Sequence, residues 1–595
     1  MGKFGYILLT AVSFVVFNSC SSLYRQETIA YAPKNSISTN SYGSYLAGRI
    51  AHYRQDFNAA ADYYMKTAQK DTNNPTLLSR TYLMLASQGR ISEAAHYAKL
   101  AQKQGDTNDF IPAVLAAEDI KQKNYAAAIQ TLNSKHSDLY KKIINPFFNA
   151  WSYTGLNQYD KAIEALNAVK KQVGMEALYH FHAGMINDYF DKPDKAREHY
   201  ESILNDSSME LSVRALEIIC NFYLRNGETE KAHALSAQYA KTVPSVDILQ
   251  KIHDKIVNAS QAQPLIISPQ MGLSEALFNI AAIVKSNSEV LDFSHIFIRM
   301  AIYENPQNDL ARILLANILE IREMYKDAIT VYDEIPASSP AYFIAQYKKA
   351  ANLRNLDDYK GSELLLKSLI LDYPDDYQLL LDLGDTLRLQ EKYKEALKYY
   401  NQALEKHHGS LAGLWQVYYA VGITNERLGK WHQAEKNLIK ALQISPNNIL
   451  VLNYLGYTWL NQGKKTEEAF SFIIKAYNQA PYNSSIIDSL GWAFYRFGMY
   501  NEAVTYLEKA TEADPSNPVI NDHLGDAYWQ TGRKNEAGFQ WNHALSLKDT
   551  TGEIDPQTIK NKIENGLQET KVLKSDKEKL TKIISEIKGD ATVSE

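Results

Sequence analysis

The chain has 595 residues, a formal net charge of −5 and two cysteines, Cys20 and Cys220. A near-neutral balance without a long basic run argues against a nucleic-acid partner, and two cysteines exclude a disulfide framework. Tyrosines number 40; most stand at helix-packing spacing, which makes them core residues before they are chemistry.

The N-terminus opens Met1-Gly2-Lys3, runs apolar and uncharged from Tyr6 to Phe17, and breaks at Asn18-Ser19-Cys20-Ser21-Ser22. A basic start, an apolar run of about a dozen residues and a small residue before a break describe a secretory signal over 1–19. The run is short for a transmembrane helix, which needs roughly 20 residues. Cys20 after Ser19 resembles the lipobox of bacterial lipoproteins, where it would be acylated and become the mature N-terminus. Phe17 and Asn18 depart from that pattern, and ordinary cleavage or an uncleaved anchor are the alternatives. Ser21 is not the aspartate that retains such proteins in the inner membrane of enteric bacteria, so the resemblance implies an outer-membrane anchor facing the periplasm. Residues 20–40, rich in Ser, Asn and Tyr, read as a flexible tether.

A repeat array follows. A small residue recurs 34 positions apart at Ala60, Ala94, Ala128, Ala162 and Ala196, with Ala232 next. The register resumes at Ser294, Ala328, Ser362 and Ala396, then at Ala434, Ala469, Ala503 and Ala537. A partner small residue tracks it at Gly48, Ala116, Ala150, Gly184, Ala316, Gly384, Gly422 and Gly456, with Tyr82 the exception.

The pattern is clearest from Ser484 to Leu547. Leu490-Gly491-Trp492, Tyr495, Gly498, Tyr500, Ala503, Leu507, Ala510 and Pro515 form one copy; Leu524-Gly525-Asp526, Tyr528, Gly532, Ala537, Trp541 and Ala544 form the next. Period and ladder together resemble the tetratricopeptide repeat, a helix–turn–helix unit. Each unit is two antiparallel helices, A and B, too short to stand alone. Gly491 and Ala503 let the backbones approach, Leu490 and Leu507 fill between them, Ala510 leaves room for the next helix A, and Pro515 ends helix B. The expected fold is all-α, a superhelical solenoid of about fourteen repeats stabilised by stacking.

Between Ala232 and Ser294 the pattern breaks. One amphipathic helix is expected between about Ser245 and Ala259, with Ile248, Ile252 and Ile256 on one face. Gln261 to Gly272, with Pro264 and Pro269, then reads as an irregular crossing. The domains are therefore an N-terminal array over 41–242, a joint over 243–274 and a C-terminal array over 275–551. A capping helix and charged tail occupy 552–595: Asp555-Pro556 is a good helix start, and Ile559, Ile563 and Leu567 share one face. Leu580, Ile584 and Ile587 continue a stripe that reads as a loosely attached helix, without the basic excess of a membrane-surface helix.

No phosphate-cradling glycine loop, His-Glu-x-x-His, paired Cys-x-x-Cys or Gly-x-Ser-x-Gly elbow is present. His180 and His182 fall on different helix faces, His407-His408 on a helix end, and Cys220 at a small-residue core position. Enzyme activity, cofactor and metal are not expected. Function then belongs to a surface. In tetratricopeptide-repeat proteins the helix A residues not used for stacking line a concave groove that holds a peptide. The resemblance carries this groove onto Asp488, Trp492 and Tyr495, onto Asp522, Asp526 and Trp529, and upstream onto Tyr457, Tyr419, Asp382 and Asp385. Chaperone-binding members use a Lys/Asn clamp there; carboxylates and aromatics here suit a partner with Arg or Lys plus apolar anchors.

Asp488-Ser-Leu-Gly-Trp492, Tyr500-Asn-Glu-Ala-Val504 and Ile520-Asn-Asp-His-Leu-Gly-Asp-Ala-Tyr-Trp529 resemble long tetratricopeptide-repeat lipoproteins of proteobacterial envelopes, most closely from about Asn453 to Leu547. Some of that group are outer-membrane adaptors that bind a carboxyl-terminal processing protease and deliver cell-wall hydrolases to it. The resemblance implies a non-enzymatic, lipid-anchored periplasmic adaptor recruiting a protease or hydrolase. The other reading is a structural scaffold of an envelope export or assembly machine. Either partner is a protein, with the membrane reached through the N-terminal lipid.

Overall fold

The computed structural model describes residues 41–132, 140–205, 211–242, 247–259, 262–284, 291–407, 413–548, 554–568, 572–573 and 577–587. Among the described residues there are 31 α-helices and no strand. Twenty-eight of them follow the A–B order that the sequence ladder dictates. All fourteen small residues that mark helix B, from Ala60 to Ala537, are 0 % exposed, Ser294 and Ser362 included.

The ladder works by close approach. In repeat 13, helix A (Ser484–Arg496) and helix B (Tyr500–Ala513) meet where a Cβ on Gly491 would lie 2.7 Å from Leu507. In repeat 14 (Pro518–Gln530 and Lys534–Ser546) a Cβ on Gly525 would lie 2.5 Å from Trp541. Any larger residue in helix A would push its partner helix away. Tyr82 shows the compensation: it is buried where other repeats have a small residue, and Ala98 stands where they carry Tyr64, Tyr200 or Leu438. The turns close through one left-handed residue, such as Gly498 (φ 75°) and Gly532 (φ 83°). Asn483 and Asn517 cap the A-helices of repeats 13 and 14, each side chain accepting from a backbone N–H.

Among the described residues the chain divides into two compact units, one up to Leu365 and one from Leu366. The described part of 243–274 lies inside the first. Its amphipathic helix spans Asp247–Val257, with Ile252 and Ile256 buried. The irregular crossing is shorter than the prolines imply. Helix A of repeat 7 begins at Pro269, with Ser268 Oγ accepting from the Met271 N–H at 3.3 Å. Proline at the first helical position lacks only an N–H that would have no partner in the helix, so it starts this helix instead of breaking it.

Repeat 7 (Pro269–Val284 and Leu291–Glu304) does more than continue the stack. It packs on the A-helices of repeats 2 to 5: Pro75–Ser87, Phe110–Lys121, Asn145–Gly155 and Glu176–Tyr189. Gln270 donates to the Ile120 carbonyl (2.8 Å) and the Tyr125 hydroxyl (3.2 Å), and Arg299 donates to the Ser87 carbonyl (3.1 Å). Lys121 donates to the Glu304 carbonyl (3.1 Å), and the Tyr303 hydroxyl to Glu118 (2.7 Å). Phe293 stacks on Phe297 at 4.2 Å, both against Phe110. A Cβ on Gly272 would lie 2.3 Å from the buried Trp151. The groove of repeats 2 to 5 is filled by the chain's own repeat.

His182 is buried beside Trp151, whose indole donates to its Nδ1 (3.3 Å), and burial pushes its pKa down to about 3. His180 faces His199 instead, 3.0 Å away. Cys220 is buried with its Sγ 3.6 Å from the Ala232 carbonyl, and burial pushes the thiol up to about 12. That thiol is a packing group.

Candidate protein-binding face

In the second unit the A-helices of repeats 11 to 14 (Leu414–Arg427, Ile449–Asn461, Ser484–Arg496, Pro518–Gln530) carry every groove residue expected from sequence except Asp382 and Asp385, which lie on Tyr377–Leu389. The structure brings four of them around a residue the sequence reading passed over, His523. Its ring stacks on Trp492 (4.0 Å, 15°), which in turn stacks on Tyr495 (4.7 Å, 10°), and Tyr457 lies 6.3 Å away. His523 Nδ1 is 2.9 Å from Asp488. Burial works to lower the imidazole pKa, but the Asp488 carboxylate, joined by the charges of Asp522 and Asp526, outweighs it and the net shift is upward. Trp492 Nε1 donates to Asn461 (2.8 Å), fixing the ring. Tyr495 is 1 % exposed and forms the floor.

Asp522 and Asp526 meet a second missed residue. Lys562, on the capping helix Pro556–Asn565, is 2.9 Å from Asp522 and 2.8 Å from Asp526. Trp541 Nε1 also donates to Asp526 (3.0 Å). Burial, and then the Asp522 charge, push Asp526 up to about 6 against the pull of Lys562. Burial tends to discharge Lys562, but the two carboxylates raise its pKa overall. Three groove carboxylates are thus matched inside the chain by His523 and Lys562. The face offers aromatic area more than uncompensated negative charge.

The other expected residues lie apart from this cluster. Trp529 is half-buried, 5.5 Å from Trp541 and against Gly566. Tyr419 is half-buried between Trp415 and Tyr454. Asp382 is buried, and Asp385 accepts from the Tyr400 hydroxyl at 2.8 Å. Cys20 lies outside the described residues.

His523 had a sequence signal. It sits 35 positions after Asp488, one past the repeat period, on the next A-helix. Lys562 had one too, adjoining the apolar stripe of Ile559 and Ile563.

The tail departs from a loose helix. The Leu573 N–H donates to the Arg496 carbonyl (2.8 Å), Val572 packs on Gly498 and Leu573 on Gly463. The last helix, Lys577–Ile584, packs on Thr466–Gln479, with Leu580, Ile583, Ile584 and Ile587 partly buried and Asn478 donating to the Glu586 carbonyl (2.7 Å).

Two tetratricopeptide-repeat family models match the chain, over residues 375–447 and 489–545. A tetratricopeptide repeat-containing protein of Pseudomonas aeruginosa is 26 % identical over 190 residues, 31 % of this chain. The match spans 32 % of that relative's length. Among solved structures, the APC/C hetero-tetramer Cut9-Hcn1 is similar at 13 % identity, covering 89 % of this chain and 97 % of that one, with a TM-score of 0.38. A thermophilic tetratricopeptide-repeat protein of Thermus thermophilus is 22 % identical, covering 31 % and 95 % with a TM-score of 0.27.

Proposed function

We propose that this chain, a tetratricopeptide-repeat protein and so a protein–protein interaction scaffold, is a non-enzymatic adaptor of the bacterial envelope that recruits a protease or a cell-wall hydrolase. It is held at the outer membrane, facing the periplasm, by a lipid on Cys20. The partner docks on the Tyr457–Trp492–His523 face of repeats 12 to 14.

One observation carries the reading. Aromatic rings on two successive A-helices meet a histidine on the third: Trp492 stacks on His523, Tyr457 lies tilted 6.3 Å from it, and Asp488 orients the imidazole. Aromatic anchors of this kind concentrate binding energy. Because Lys562 already satisfies Asp522 and Asp526, the partner's apolar anchors matter more than its basic residues.

The test is capture of the detergent-solubilised protein from its own envelope, wild type beside Trp492→Ala with Tyr457→Ala. Both substitutions leave Lys562 paired, whereas changing Asp522 or Asp526 would also release the capping helix. A protease or hydrolase captured by wild type and lost by the variant is the expected result. Export or assembly components alone, unaffected by the variant, would favour the structural-scaffold reading.

A further inference from the structure

The two ends of the solenoid are finished differently. The last repeat is covered by Pro556–Asn565, whose Ile559 is 1 % exposed. Among the described residues nothing covers the first. Helix A of repeat 1, Ser41–Tyr53, buries Ser44, Gly48 and Ala51 on one side. Its opposite side carries Tyr42 (86 % exposed), Leu46 (58 %), Ile50 (46 %) and Tyr53 (90 %), spaced to form one stripe. A terminal repeat normally turns a polar face outward. The positions matching Leu46 and Ile50 in repeat 13 are Ser489 and Ala493, both buried in the stack.

Charge indicates what covers the stripe. Arg49 sits within it and Arg54 beside it, both exposed. An open pocket next to them is lined by Arg49, His52, Tyr53, Tyr64 and Arg80. The nearby carboxylates are occupied elsewhere: Asp56 caps helix B of its repeat, Asp62 pairs with Arg90 and Asp292 with Arg322. Arg80 donates to the Tyr45 hydroxyl. Residues 41–70 carry four bases, Arg49, Arg54, Lys66 and Lys70, and two carboxylates, Asp56 and Asp62, in a chain of net charge −5. A second copy docking by the same face would set Arg49 against its own equivalent, which opposes pairing.

We propose that the outer face of Ser41–Tyr53 rests on an anionic phospholipid surface, with Tyr42, Leu46, Ile50 and Tyr53 in the interfacial layer and Arg49, Arg54 and Arg80 on headgroup phosphates. An amphipathic helix with aromatic and aliphatic residues on one face and flanking arginines has the composition for this. The proposal rests on the lipid anchor for proximity: Cys20 and Tyr42 are 22 positions apart, at most about 75 Å of extended chain. The anchor keeps the helix near the bilayer; the stripe then orients the first repeat upon it.

The experiment is hydrogen exchange on the full chain reconstituted into vesicles of phosphatidylcholine alone or with phosphatidylglycerol. Amides of 41–53 are expected to exchange several-fold more slowly with phosphatidylglycerol, and to lose that protection in Arg49→Glu/Arg54→Glu and in Leu46→Ser/Ile50→Ser, all exposed positions. Equal protection on both vesicles, or none, would overturn the proposal. So would protection that appears without vesicles together with a doubled mass, which would assign the stripe to a second copy, or protection only on adding envelope proteins. The mass of the N-terminal peptide reads the anchor separately. A footprint without acylation removes the anchor and leaves the surface, and acylation without a footprint does the reverse.

Discussion

The A-helices of repeats 2 to 5 and those of repeats 12 to 14 are built from the same ladder, yet their free faces have opposite fates. In the first unit the face is filled by repeat 7, with Trp151 against Gly272 and the Phe110, Phe293 and Phe297 rings packed together. In the second it keeps half-buried aromatics, and the described chain intrudes at one end, through Lys562. A repeat motif specifies that a groove is made. Whether the groove stays available is decided by distant segments of the same chain.

The comparison can be broken most severely at Trp151. Trp151→Ala should destabilise the first unit by about 4 kcal/mol, since a fully buried indole leaves a cavity on both sides of the helix. The thermal transition of the second unit should not move; a common shift would show that the units do not unfold independently.

Next in size is Lys562→Ala, expected to cost the second unit about 3 kcal/mol by leaving Asp522 and Asp526 facing each other without a cation. Adding Asp526→Asn should recover much of the loss in denaturant titration. If Lys562→Ala alone is neutral, the capping helix does not hold the acidic end.

The pH response sharpens the contrast further. His523 has its pKa raised by Asp488, and Asp526 is pushed up to about 6 by burial and Asp522. Both folded values lie above the unfolded ones, so folding takes up protons. The stability they contribute is present at low pH and is lost as pH rises through the folded values. The melting temperature of the second unit should rise from about pH 8 to about pH 6, and Asp488→Asn should flatten the rise.

The smallest effect is expected at Glu304, whose carboxyl burial holds well above the usual range. Glu304→Gln should change stability near neutral pH by no more than about 1 kcal/mol. A large loss would mean the side chain is ionised in the repeat 7 interface.

The repeat ladder was legible because size alternation at fixed spacing is a local demand of helix packing: Gly491 faces Leu507 sixteen positions on, within one unit. The groove positions came from the family resemblance, and several of them, Asp488, Tyr495, Asp526 and Asp382, are buried. What filled the grooves was not legible. Gln270 meets Ile120 across 150 positions and Lys562 meets Asp522 across 40, and no periodic signal links such partners. Proline ends and starts helices alike, and the cap at Ser268 decides that Pro269 starts one. His523 gains its role from Asp488 and Trp492 on the neighbouring helix, and the ladder of small and large residues does not mark that pairing.

The central claim is that the second unit's groove receives other proteins while the first unit's groove is occupied by its own chain. Site-specific photocrosslinking in the native envelope tests it directly, with a photoreactive residue at Tyr457 or at Tyr303. Tyr457 should yield adducts to another protein that disappear with Trp492→Ala, and Tyr303 should yield adducts within the chain alone. Partner adducts at Tyr303 and none at Tyr457 would contradict the account.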